Sequence, residues 1–237
     1  MIDEGKAMGQ WAYYGINSQE DKRTAALNEV IYIEQQLKNR IQNESFVPWG
    51  RKQQNDWDKR TNFIYKISSW EDFKKYTSNL PKPIRNYALN RWFNFWSANG
   101  VENIFCSLPG VEPNLNKYDR LIDFSINRIS FDHKTTVYPK RYSHPINYAI
   151  ENPLSLIKWL YDNQSKQQRF HLANRLFIVL YDQNGVHWKL RAELKQLYEI
   201  IANYVLSFDA TQLPTLSLQQ KQIRSDIIWF TKGELSK

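Results

Sequence analysis

The sequence predicts an α/β protein, a mixed central sheet flanked by helices and preceded by a mainly α-helical N-terminal extension. Three observations predict it. The stretch "YDRLIDFSINRISFDHKTT" (118–136) alternates apolar with polar residues about a short polar break, as two paired strands do. "RLFIVLYD" (175–182) is a continuous apolar run of strand length. Segments of helical period lie before, between and after them.

Taken in order, Ala26, Val30, Ile33, Leu37 and Ile41 recur at spacings of three and four and predict a packing helix. Ser69 followed by Asp72 marks the start of a short helix. Pro81 and Pro83 precede "IRNYALNRWFNFWSANG", a helix expected to stop at Asn99-Gly100. "VENIFCSL" then predicts a strand, ahead of the two strands of 118–136. Residues 153–168 predict a helix with Pro153 in its first turn, 175–182 a buried strand ended by Asp182-Gln183-Asn184-Gly185, and 191–208 an amphipathic helix. No element is predicted past Phe208. The boundary expected from this order sets residues 1–82, the helical extension, apart from a core at 83–237.

Composition narrows the function classes. A formal charge of +8 favours a polyanionic partner by long-range attraction. The single cysteine, Cys106, forms no internal disulfide, and four scattered His predict no structural zinc cluster, so a reducing cytoplasm is the expected location. No apolar run is long enough to span a bilayer. Trp49 and Trp57 in and beside "RKQQNDWDKR" mix basic and aromatic residues as single-strand binders do, with packing and surface as the alternative, whereas Trp92 and Trp96 at helical spacing predict core.

The 118–136 stretch carries the chemistry. With Asn127 and Arg128 as a two-residue turn, partners pair so that their numbers sum to 255. Ile122, Phe124 and Ile126 then face His133, Phe131 and Ile129 on an apolar side, which makes His133 a core residue. The other side sets Asp123 opposite Asp132, with Lys134 two residues on and Asp119 at the entrance. Facing carboxylates repel unless a cation lies near them. Mg²⁺ takes oxygen ligands of this kind together with water and phosphate, and a neighbouring Lys stabilises developing charge. A solvated hairpin face with an ordinary Asp-Lys surface pair is the alternative. Four other acid-x-Lys triplets fall at the N-terminus or in helical sequence, where residues two apart diverge.

"YDRLIDF" followed by "ISFDHKTT" resembles the PD-(D/E)xK nuclease superfamily in its RecB-like form, over roughly residues 84–182. The resemblance implies a restriction-endonuclease-like sheet and a nuclease hydrolysing phosphodiester bonds in nucleic acid, DNA foremost, with Mg²⁺ or Mn²⁺. It implies Asp119 as the first metal-binding acid, Asp132 as the second with the backbone carbonyl of His133, and Lys134 as the catalytic lysine. Asp123 is the rival for the first acid. Tyr118 stands where a proline often precedes that acid. Many members carry a Glu or His on the helix before the first strand, where Asn86 and Asn90 are the candidates here. Gln164, Gln167 and Gln168 have no Tyr at the spacing that RecB-like members show. Arg120, Thr135, Lys140 and Arg141 are the expected nucleic-acid contacts, and a homodimer is the arrangement common to enzymes that cut both strands. A binding module that kept the fold and lost catalysis is the alternative function, and a structural protein with a charged hairpin is the third.

Overall fold

The computed structural model describes residues 19–43, 55–116, 118–119, 121–164, 173–218 and 220–233. Helix α1 (Gln19–Asn43) is followed by α2 (Asn55–Thr61), a 3-10 turn (Asn62–Tyr65), α3 (Trp70–Thr77) and α4 (Lys82–Ser107). Strands β1 (Val111–Pro113), β2 (Phe124–Ile126) and β3 (Ile129–Val137) form an antiparallel meander. Helices α5 (Ile146–Glu151) and α6 (Pro153–Gln164) cross over to β4 (Arg175–Asp182), which is parallel to β3. A 3-10 helix (His187–Ala192) and α7 (Leu194–Leu206) precede β5 (Thr215–Leu218) and β6 (Lys221–Lys232). The six-stranded sheet has the order β1-β2-β3-β4-β6-β5, with β6 parallel to β4 and antiparallel to β5.

Side-chain alternation divides the core into two layers. Phe124, Ile126, Phe131, Leu176, Ile178 and Leu180 face the helical layer containing α1, α3, α4 and α7. Phe177, Val179, Ile223 and Ile227 face α5 and α6. The N-terminal helices contribute to the first cluster directly, through Val30, Ile33, Leu37, Ile64, Trp70 and Phe73. The α1 stripe is as the periodicity predicts, and Ser69 Oγ accepts from the Asp72 N–H at 3.2 Å as the cap of α3. Trp92 and Trp96 are core, their Nε1–H groups donating to the carbonyls of Ile67 and Ile64.

The hairpin register is the expected one, with Phe124 opposite Phe131 and Ile126 opposite Ile129. Asn127 (φ 47°) and Arg128 (φ 68°) are both left-handed, the type I′ geometry that matches strand twist. Strands β5 and β6 lie past Phe208, where no element is predicted, and one predicted strand needs correction. Residues 101–107 are helix, not strand, because α4 continues through Gly100 to Ser107, and the first strand of the meander is the short β1 instead. A methyl group at Gly100 would lie 2.6 Å from Leu194 Cδ1, so this glycine marks a close approach of α7 to α4 rather than a helix end. Arg120, Trp49, Gln167 and Gln168 lie outside the described residues, and among the described residues no helix is long and apolar enough to cross a membrane.

Candidate functional site

β2 begins only at Phe124, opposite Phe131, while β3 runs on to Val137, so the two strands part beyond Phe131. The last rung between them is the Asp123 N–H donating to the Phe131 carbonyl at 2.8 Å. In the β3/β4 ladder the even residues of β3 bond to β4, as the Asp132 N–H does to Asn174 O at 3.0 Å. Alternation turns the N–H and C=O of His133 and Thr135 to the edge that β2 has vacated. There the His133 N–H donates to Asp123 Oδ2 at 2.9 Å, and the Thr135 carbonyl accepts from Arg191 Nη2 at 2.8 Å. The His133 carbonyl lies on this same edge.

The two acids of the hairpin do not share one cation. Asp123 Oδ2 also meets His133 Nδ1 at 2.9 Å, and that ring is buried against Phe105 and Phe124. Asp132, on the other side of β3, accepts Lys134 Nζ on Oδ1 at 2.6 Å and Arg175 Nε on Oδ2 at 3.0 Å. Arg175 opens β4 and lies with its guanidinium carbon 5.0 Å from the centre of the Tyr161 ring. Asn174 clips the strand ends here, donating to the Ser130 carbonyl and accepting from the Arg224 N–H.

Electrostatics tie the halves together. Burial by itself would raise the Asp123 carboxyl, but the hydrogen bond and charge of His133, with the charge of Lys134, outweigh it and hold the group well below the carboxylate range. Burial would lower the His133 imidazole, yet its bond to Asp123 and the charges of Asp123 and Glu102 leave it raised, against the opposing charge of Lys134. Lys134 therefore bonds to one acid and acts on the other.

The sign of the pH dependence follows. A raised His133 contributes stability below about pH 6.5 that is lost as pH rises through its folded value. A lowered Asp123 contributes above about pH 4 and is lost as pH falls through its folded value. With chelator present, wild type should exceed Asp123→Asn in urea-unfolding free energy by more at about pH 5.5 than at about pH 8.5. An equal difference at both pH values would refute the ion pair.

Asp119 is placed differently. It lies in the loop before β2, where its Oδ1 accepts from the Leu121 N–H at 2.8 Å and its Oδ2 from Asn114 Nδ2 at 3.0 Å. These contacts belong to its own loop, whereas those of Asp123 reach β3. Lys140 and Arg141, expected beside the site, are exposed past the far end of β3, roughly 20 Å of strand from Asp132. Thr135 has its Oγ1 buried without a hydrogen-bond partner. The corrected span of α4 also changes the inventory of acids. Glu102 sits on its last two turns and acts electrostatically on His133, where only Asn86 and Asn90 were candidates.

Sequence reasoning missed Arg175, Arg191 and Glu102. Arg175 had a signal, since a charge opening an otherwise buried strand needs a counter-charge. Among the described residues no group of three or more His, Cys, Asp or Glu side chains is placed to hold a metal ion. Asp123 and Asp132 lie on opposite sides of β3 with the His133 carbonyl on its edge, oxygen donors of the type that Mg²⁺ takes. Comparison with family models, with curated proteins and with solved structures finds no match.

Proposed function

We propose that the chain is a metal-dependent nuclease of the PD-(D/E)xK type, on a restriction-endonuclease-like fold, hydrolysing phosphodiester bonds in DNA. The observation that carries this reading is Lys134 bonded to Asp132 where β2 parts from β3, with its charge also acting on Asp123. The order helix, three-stranded meander, helices, parallel strand supports it further. Asp123 takes the role of first acid on this geometry, with Asp119 bracing the preceding loop. Glu102 takes the place of the acid that many members carry on the preceding helix.

Asp123, Asp132 and the His133 carbonyl are the groups that would hold Mg²⁺ or Mn²⁺. Such an ion supplies an activated water and neutralises charge on a phosphodiester. Lys134, with nearly half of its side chain in solvent, is the group able to move between Asp132 and a bound phosphate or water. Arg175, buried, holds the second oxygen of the Asp132 carboxylate.

A catalytically inactive nucleic-acid-binding module is the second reading, favoured by one observation. Both oxygens of Asp132 already accept from cationic side chains, so an entering metal ion competes with them. Incubation with linear, circular and single-stranded DNA in Mn²⁺ separates the two. Cleavage by wild type, reduced at least about a hundredfold in Lys134→Ala, is the expected result. Salt-dependent DNA binding with no product from any form would select the binding module.

A further inference from the structure

We propose that Arg191 and Thr135 form a phosphate-binding subsite on the vacated edge of β3, one residue beyond Lys134. The assignment to a nucleic-acid phosphate rests on the nuclease reading; the anion chemistry does not.

Two observations carry it independently. Arg191 stands in the 3-10 helix before α7 and donates from Nη2 to the Thr135 carbonyl at 2.8 Å. Among the described residues no carboxylate pairs with it. Two more deeply buried arginines differ. Arg175 is paired with Asp132, and Arg91 lies on Asp58 with Thr61, Asn62 and Tyr65 around its fork. A carbonyl satisfies one donor of a guanidinium but none of its charge, and a neutral side chain would prop that carbonyl equally well. The residue keeps part of its surface in solvent, yet its charged end has interior surroundings, and burial pushes it down to about 10. The hydrogen bond described for its fork is the one from Nη2 to the Thr135 carbonyl.

The second observation is Thr135 Oγ1, which is buried and bonded to nothing. Valine has the same shape without the hydroxyl, so a threonine here carries the desolvation of a polar atom for no return in the free protein. A half-buried cation without a carboxylate holds the backbone carbonyl of the same residue whose buried hydroxyl has no partner, and a single ligand would complete both. A tetrahedral oxyanion supplies both the negative charge and the acceptor oxygens, and the guanidinium fork matches it in two-point contact. The site adjoins the His133 carbonyl along the edge, the position from which it would hold the phosphate next to the one being cleaved.

The test uses the full chain, titrated with inorganic phosphate against sodium chloride at matched ionic strength, read by calorimetry and thermal unfolding. Wild type should bind phosphate and gain melting temperature over the chloride control. Thr135→Val should melt higher than wild type without phosphate and bind phosphate about tenfold more weakly, a pair of opposite signs that a purely structural threonine would not give. Arg191→Gln should lose tenfold or more; if it does not fold, Arg191→Lys, which keeps the charge and loses the fork, takes its place with an intermediate loss. A short single-stranded oligonucleotide forms the second arm. An equal loss of its affinity in Thr135→Val identifies the ligand as backbone phosphate, and an unchanged affinity identifies it as free phosphate. Phosphate indistinguishable from chloride in wild type, or phosphate binding unaltered in both variants, would overturn the subsite. Phosphate binding without DNA cleavage leaves the subsite standing and removes the nuclease reading, and cleavage without phosphate binding does the reverse.

Discussion

Asp132→Ala should lower the free energy of unfolding by about 3–5 kcal/mol in urea titration. The loss comes less from the bonds removed than from the charge left behind. The side chain of Arg175 is 7% exposed, and its described ion pair is the 3.0 Å contact with Asp132. Without that carboxylate the guanidinium keeps the Tyr161 ring and loses its counter-ion. Lys134 contributes little to this figure, because its side chain is 46% exposed and returns to water. The double variant Asp132→Ala/Arg175→Met should recover most of the loss, since an apolar pair of similar bulk replaces a buried ion pair at small cost. A single-variant loss below about 1 kcal/mol, the range of an exposed pair, would mean that Arg175 is not held as described.

The second large effect is Phe124→Ala, expected to cost about 3–5 kcal/mol. Phe124 is fully buried and stacks on Phe105 of α4 at 4.3 Å between ring centres, with the His133 ring 6.0 Å away. It is the first residue of β2 and follows Asp123 directly, so it anchors the point from which that carboxylate reaches β3. Phe124→Leu, which keeps most of the volume, should cost less than half as much in the same unfolding experiment. Equal costs for leucine and alanine would show that the aromatic stack, and not filled volume, sets the stability of this position.

The hairpin was legible because period two, a polar break of two residues and an apolar face all pointed to one register. The α1 stripe and the cap at Ser69 were legible for the same reason, each being a local pattern with a local cause. The far end of α4 was not. Asn99-Gly100 has the composition of a helix terminator, and "VENIFCSL" is rich in residues that suit strands. What the local pattern could not convey is the close approach of Leu194, nearly a hundred residues away, whose Cδ1 would lie 2.6 Å from a methyl group at Gly100. That one misread glycine also hid Glu102, by moving it from the helix to a strand. β6 escaped notice because its first half carries Gln222, Arg224 and Asp226, while Ile227, Ile228 and Phe230 are buried only once the strand has paired with β4 in the parallel ladder. In the site itself, the sequence brought Asp132 and Lys134 together and placed His133 in the core. Between Asp119 and Asp123 the sequence offered only spacing, which does not convey side-chain direction at the end of a strand.

The rate of Mn²⁺-supported DNA cleavage by wild type, Asp123→Asn and Asp119→Asn tests the central claim most directly. A site built from Asp123, Asp132 and Lys134 predicts cleavage by wild type, a fall of at least about a hundredfold in Asp123→Asn, and a change of no more than a few-fold in Asp119→Asn. An inactive Asp119→Asn beside a fully active Asp123→Asn would contradict that assignment, and the absence of cleavage by wild type on every form of DNA would contradict the nuclease itself.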